Sequence, residues 1–403
     1  MPKLITLFHQ DEQKCDELYN SLYSSPLSHH LNIPIRQLNS QREFPAFFYY
    51  TEELTQNIFT IMKDSMSLSL LAAKLPGIAI RSFQRSCLIE EIQSSNDIEG
   101  VRSTRKEISA ALEEQANIQN ADNTRLWSTV NKYVKLQQQE DIPFSNSQDL
   151  RLFYDSFIAD EILRDDPQSL PDGKLFRKDS VDIWSKTRII HHGVYPEEKI
   201  IEYMDHALKV LQHNDIPALV RVSIFHYLFG YIHPFYDGNG RTSRFITSYY
   251  LSKILHPLVA IRLSITIKKS LRTYYKLFED TNSHANHGDL TPFITGFLWI
   301  IQKSVVRVND ILTEKANQLS IISNKLEKLS YTDKKLDSKI YFVLLQASLF
   351  SEDGATLEEI ADTLNKNIKT IRNHIRTYPQ KHIIINKTHR AHRFQLNINA
   401  LAF

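Results

Sequence analysis

"YIHPFYDGNGRTSRF", Tyr231 to Phe245, places two of the ten glycines of a 403-residue chain on either side of one Asn. A His and an Asp precede the pair, and two Arg three residues apart follow it. The stretch reads as a loop joining two helices. A Gly-x-Gly at a helix start lets successive N–H groups turn inward into an anion-binding concavity, and the helix dipole adds to that field. Gly238 and Gly240 allow the backbone to approach a phosphate closely, while Asn239 tolerates unusual φ and has an amide to donate. Arg241 and Arg244, in the first helical turn, share a face and can clamp phosphate oxygens. Asp237 is a hard oxygen ligand suited to Mg²⁺ beside a diphosphate. His233 has a pKa suited to accepting a proton near neutrality. Taken singly, such residues are most often a turn, a structural histidine or solvated surface. In this order, within a glycine-poor chain, they describe a site for attack on a nucleotide phosphate. The third Gly of a dinucleotide fingerprint and the Gly-Lys-Ser/Thr of a P-loop are both missing.

The rest of the chain bounds the setting. With 42% apolar and 23% charged residues, it has the composition of a soluble globular protein, long enough for two or three domains. Cys15 and Cys87 cannot form a disulfide framework and lack metal-ligand spacing, which fits a reducing compartment. The N-terminus has no long apolar run. The most apolar window, "SLSLLAAKLPGIAI" from Ser67 to Ile80, is interrupted by Lys74, Pro76 and Gly77 and is too short to span a membrane. The expectation is a cytoplasmic protein with no membrane partner. From Ile360 to Phe403 four Lys and four Arg face a single acid, Asp362, so a tail of net +7 follows a body of net −5. That asymmetry suggests a separate module with its own partner.

Helical periodicity dominates the body. "EELTQNIFTIMKDSMSLSLLAAKL" and "SFQRSCLIEEIQSSNDIEG" read as helices, the second stopped by Gly100. Capping boxes are expected at Thr104 with Glu107 and at Ser145 with Gln148. "LFRKDSVDIWSKTRIIHHGVYP" suits a hairpin, the single one expected in an otherwise α body. Apolar helices around Leu219–Tyr231 and Thr242–Leu255 flank the opening stretch. In the tail, Thr356–Leu364 and Ile368–Arg376 read as two short helices, the second carrying Lys369, Arg372 and Arg376. "HIIINKTHRAHRFQLNI" reads as two strands around a basic turn. This is a winged helix-turn-helix pattern whose second helix could enter a major groove, and duplex DNA through residues 356–396 is one open partner. Protein contact with solvated charge is the other.

"HPFYDGNGRTSR" resembles, without a break, the Fic-family signature His-x-Phe-x-Asp/Glu-Gly-Asn-Gly-Arg-x-x-Arg. The resemblance extends over roughly Phe83 to Ile300 by order of elements. It implies a mainly α Fic-type core with a β-hairpin flap, to which the small C-terminal α+β domain is added. It also implies transfer of AMP from ATP to a Ser, Thr or Tyr hydroxyl of a protein. By the same resemblance, His233 would deprotonate that hydroxyl and Asp237 would hold Mg²⁺. Gly238, Asn239 and Gly240 would form the anion hole, Arg241 and Arg244 would bind the distal phosphates, and Thr242 and Ser243 would also be nucleotide-binding. The flap would align the target as an added strand. Tyr275 and Asn286, in "YYKLF" and "NHGDLTPFI", are further nucleotide-contact candidates. "SSNDIEG" resembles the family's inhibitory motif Ser/Thr-x-x-x-Glu-Gly/Asn, in which Glu99, with Ser95 behind it, would pair with Arg244.

The expected division is an N-terminal helical region to residue 120 containing the inhibitory helix (about 83–99), a catalytic core to 300, linking helices to 335, and the C-terminal domain to 403. A homodimer is open as an assembly. The leading reading is a self-inhibited protein adenylyltransferase that also modifies itself. The alternatives are removal of AMP with Glu99 orienting a water, transfer of another phosphate-linked group, and a DNA-binding regulator whose core only senses nucleotide.

Overall fold

In the computed structural model, residues 3–36, 40, 42–115, 125–185, 188–328, 335–387 and 391–401 are described. The expected boundary at 120, the flap tip at 186–187 and the basic turn at 388–390 lie outside them. Helices α1 (Leu4–Phe8) and α2 (Glu12–Tyr23) lead into an antiparallel hairpin, β1 (Ser28–Arg36) and β2 (Glu43–Tyr49). This hairpin corrects the expectation of one hairpin in the body. Phe44, Ala46 and Phe48 alternate inward, but Phe47 is also buried, against Leu4, Cys15 and Leu22, so the strand is covered on both faces and loses the clean period of two.

Two long helices follow, α3 (Glu52–Ala73) and α4 (Gly77–Ile98), then α5 (Arg105–Gln115) and α6 (Trp127–Gln137). The capping box at Thr104 forms: its hydroxyl accepts from Glu107 N at 3.2 Å, and its own N–H donates to Glu107 Oε2 at 2.7 Å. The second expected box, Ser145 with Gln148, does not form, and the cap lies one residue later. Asn146 accepts from Asp149 N through its side-chain oxygen and starts α7 (Ser147–Tyr154). A π-helical turn, Asp155–Ala159, carries α7 into α8 (Asp160–Asp165).

The expected flap is an antiparallel pair, β3 (Asp182–Ser185) and β4 (Arg188–His192), with Asp182 opposite His192. Next come α9 (Glu197–Leu211), α10 (Ala218–Ile232), α11 (Asn239–Ile254), α12 (Pro257–Ala260), α13 (Leu263–Lys269), α14 (Leu271–Thr281) and α15 (Thr291–Leu326). Helix α10 is apolar all round, as its "LVRVSIFHYLFGYI" run requires, and packs between α9, α11 and α15 at the centre of the core. No helix of the described residues is long and apolar enough to cross a membrane.

Helix α16 (Lys335–Phe350) opens the C-terminal unit, followed by β5 (Ala355–Thr356), α17 (Leu357–Leu364), α18 (Ile368–Thr377), β6 (Ile383–Asn386) and β7 (Arg393–Leu396). The strands pair antiparallel in the order β5-β7-β6, an arrangement compatible with a winged helix-turn-helix. Thr356 and Glu359 form a complete capping box at α17.

Candidate active site

The site is built where α10 ends and α11 begins. Its turn is set at His233, which adopts φ 52°, ψ 62° as the left-handed end of α10, and at Gly238, φ 78°, which caps α11. Asn239 fastens the intervening loop: its carbonyl oxygen accepts from Phe235 N at 3.0 Å and its amide donates to Phe235 O at 2.7 Å. Its side chain is therefore a clasp, and what it offers an anion is its backbone. Helix geometry leaves the first N–H groups of α11 without intrahelical acceptors, so they open at the loop.

His233 is positioned through its backbone. Arg177, with no exposed surface, donates from Nε to His233 O at 2.9 Å and from its other nitrogens to the carbonyls of Asp179, Val194 and Ile232. One guanidinium thus ties the flap's return to the end of α10. Burial, then the nearby charge of His191 and Arg177, holds the His233 imidazole down to about 4, with Glu99 pulling weakly the other way. At neutral pH the ring is an unprotonated base.

The two arginines have separate partners. Arg241 donates to Glu161 Oε1 at 2.9 Å and to Asp237 Oδ2 at 3.2 Å. Burial raises the Glu161 pKa, and the Arg241 charge only partly offsets it. Asp237 keeps 47% of its side chain exposed at the loop mouth, and Tyr154 Oη donates to its carbonyl at 3.1 Å. Arg244, only 1% exposed, is enclosed by the end of α4. Its Nε donates to Ser95 Oγ at 3.1 Å, its Nη2 to Ser95 O at 2.8 Å, and its Nη1 to Glu99 Oε1 at 2.7 Å. Burial opposes a charge on Glu99, but Arg244, followed by Arg241 and His233, outweighs it and keeps the carboxyl below its ordinary range.

The end of α4 explains why Glu99 lies there. Val101 N–H reaches back to Asn96 O at 3.0 Å and Gly100 N–H to Asp97 O at 3.2 Å, a Schellman closure with Gly100 at φ 73°. Glu99 is the cap residue of that closure. Gly240 supplies the space opposite: a Cβ built on it would lie 2.0 Å from Glu99 Oε1 and 2.8 Å from Arg244 Nη1. The carboxylate therefore rests against the first turn of α11, in the place the sequence marks for an anion.

Of the other expected residues, Ser243 turns its hydroxyl inward, 3.3 Å from His226 Nδ1, and Thr242 is fully buried. Arg241 Nε and Thr242 Oγ1 are buried without a hydrogen-bond partner among the described residues. Tyr275 is brought close, 46% exposed, its pKa raised by burial and then by the charge of Glu99. Asn286 is not joined to this group by any contact of the described residues. Its amide goes to the carbonyls of Asp289 (2.7 Å) and Thr281 (3.3 Å), closing the turn before α15. Arg177 and Glu161 escape sequence reading because each acts across the fold, 56 and 80 residues from its partner, with no local spacing to reveal it.

Among the described residues no cluster of three or more His, Cys, Asp or Glu side chains has the geometry of a metal cage. Mg²⁺ is commonly held by one or two carboxylates together with substrate phosphates. Asp237 at the open mouth is a carboxylate of that kind.

Residues 146–251 match the Fic/DOC family. Over 72 residues the chain is 40% identical to "Protein adenylyltransferase Fic" of Nematostella vectensis, a match covering 18% of this chain and 15% of that protein. Over 95 residues it is 33% identical to the protein of the same name from Drosophila grimshawi, covering 24% and 18%. The matched part thus spans under a fifth of either relative. A Fic family protein from Desulfovibrio desulfuricans G20 shares the fold at a TM-score of 0.53 and 20% identity, over 87% of this chain and 97% of that one.

Proposed function

We propose that this chain, through its Fic domain, transfers AMP from ATP to a hydroxyl of a protein Ser, Thr or Tyr, and that its own Glu99 restrains the reaction. The observation that carries the reading is the Glu99–Arg244 pair at 2.7 Å, lying on Gly240 in a site that also contains an unprotonated His233. In this reading His233 takes the proton of the acceptor hydroxyl as its oxygen bonds to the α-phosphorus. The bond from that phosphorus to the bridging oxygen breaks, and diphosphate leaves. The first N–H groups of α11 and the two arginines face the phosphate charge. Mg²⁺, when bound, would neutralise charge on the leaving diphosphate, with Asp237 as its protein ligand. The test is incubation with α-labelled ATP and Mg²⁺, followed by mass spectrometry of the protein. Label that survives denaturation and adds one AMP supports the reading, and its absence from both wild type and the Glu99→Gly variant removes it.

The low pKa of His233 gives a pH dependence. A general base works deprotonated, so an imidazole titrating near 4 stays competent well below the ordinary histidine value of 6.5. In Glu99→Gly the acid limb should move lower still, because the nearby carboxylate that raises the His233 pKa is gone. Initial rates of AMP incorporation between pH 5 and pH 8 should be nearly flat on the acid side, whatever the alkaline side does. A limb centred near 6.5 would remove His233 as an enclosed base.

A partner for the C-terminal unit is favoured by one feature. Lys369, Arg372 and Arg376 lie on the exposed face of α18, opposite the buried Ile371 and Ile375. We assign this face to duplex DNA. Binding should weaken steeply with salt, by a slope that follows the number of phosphates engaged. Titration of labelled duplex at 50 and 200 mM salt measures it, and salt-independent or absent binding would return the unit to protein contact.

A further inference from the structure

Helix α4 is held along its length, its middle by α13, where Ser264 N donates to Glu91 at 2.9 Å and Arg262 pairs with Glu90 at 3.3 Å. Its last turn delivers Ser95 and Glu99 to Arg244, while its earlier turns pack along α16 of the C-terminal unit. Charged side chains bind that second contact. Arg85 on α4 donates to Ser109 Oγ at 2.8 Å and lies 3.5 Å from Glu113 Oε1 on α5. The same oxygen is 3.9 Å from Arg393 Nη1 on β7. Arg393 is buried and also bonded to Gly354 O and, at 2.9 Å, to Glu359 Oε2. On the flank, Arg105 of α5 donates to Ser86 Oγ of α4 at 3.2 Å and pairs with Glu352 and Asp353 of the C-terminal unit at 3.4 and 3.6 Å. Arg81 of α4 reaches Thr363 Oγ1 of α17 at 3.3 Å.

Two guanidiniums, one from α4 and one from β7, therefore share one mostly buried carboxylate. They repel one another, and Glu113, together with Glu359 and Asp353, offsets that repulsion, since close charges in a poorly solvated place interact strongly. We propose that Arg85, Glu113 and Arg393 are positioning residues that set the angle of α4 and thereby hold Glu99 on Arg244. The proposal rests on the restraint of transfer by Glu99. The lever is long enough to matter: fourteen residues of helix separate Arg85 from Glu99, roughly 21 Å, so a tilt of about 3° moves the carboxylate by roughly 1 Å. A hydrogen bond at 2.7 Å does not survive such a shift without repacking. The C-terminal unit is then a second holder of the restraining helix, and a ligand that moves β7 acts at the site through the same lever.

The experiment uses the full-length chain with Glu113→Gln and Arg393→Gln, each alone and combined with Glu99→Gly. Incorporation of AMP is measured across ATP concentrations, and melting temperature is recorded for every variant. Glu113→Gln keeps the shape of the side chain and removes only its charge, so it decides the matter if Arg393→Gln fails to fold. The expected result is a several-fold rise in kcat with little change in KM for ATP. The rise should stay below that of Glu99→Gly and vanish in the Glu99→Gly background. A folded Glu113→Gln variant working at the wild-type rate overturns the proposal, as does a gain of equal factor in both backgrounds. If Glu99→Gly is itself no faster than wild type, the restraint reading fails first, an outcome distinct from failure of the cluster alone.

Discussion

Replacing Glu99 with Gly should raise AMP incorporation at saturating ATP on the order of 10²-fold, the scale of loss that a misplacement of about 1 Å imposes on a reacting group. The argument is geometric. Glu99 Oε1 occupies Arg244 Nη1 at 2.7 Å and lies over Gly240, where the first turn of α11 would receive phosphate. ATP entering beside it meets a carboxylate in place of a free guanidinium, so its phosphates can be held but not aligned for attack. Removing the carboxylate releases the guanidinium and removes the like charge together, which places the gain in rate more than in affinity. Adding Arg244→Ala should cancel the gain, because that arginine is what Glu99 withholds. Ser95→Ala should give a smaller rise, since it deletes the bond to Nε but leaves the Ser95 carbonyl on Nη2. Rates are to be compared per folded molecule, Arg244 being almost wholly enclosed. A Glu99→Gly variant no faster than wild type would leave the Schellman end of α4 with a structural role alone.

Loss of His233 should have the opposite sign and a similar or larger size. In the Glu99→Gly background, His233→Ala is expected to lower transfer by about 10²–10⁴-fold, the usual contribution of a placed general base. Calorimetric titration should find ATP binding nearly unchanged, for in the proposed reaction the imidazole serves the acceptor hydroxyl and not the phosphates. The fold should tolerate the change, because Arg177 grips the carbonyl of residue 233 and not its ring. Full transfer activity in His233→Ala would move the base elsewhere.

The sequence made much of this site legible, for a physical reason. The nest, the two arginines and the base follow one another along a single turn between two helices, so chain order alone brings them together. Gly100 marks the end of α4 beside Glu99, but the pairing of Glu99 with Arg244 was an expectation of the family resemblance alone. What stayed hidden lies across the fold. Nothing near Glu161 or Arg177 in sequence announces Arg241 or His233, and a buried arginine bonded to four carbonyls has no spacing to reveal it. The use the fold makes of Asn286 was also hidden, since a buried amide that closes its own turn has no local spacing to announce it. The β1–β2 hairpin was missed because burial on both faces of β2 erases the alternation by which a strand is recognised.

The contact between Ser95 and Arg244 joins positions 149 residues apart, and that between Arg81 and Thr363 joins positions 282 apart. Loops of that length close late, after local helices and short hairpins, because their closure entropy is met before any contact repays it. During synthesis the helix bearing Glu99 leaves the ribosome long before the arginine it will hold, and longer still before the unit that packs behind it. A newly made chain can therefore assemble its α10–α11 turn before α4 has its final support. Activity during that interval should exceed that of the finished molecule, so freshly released chains should incorporate labelled AMP faster than chains that have aged.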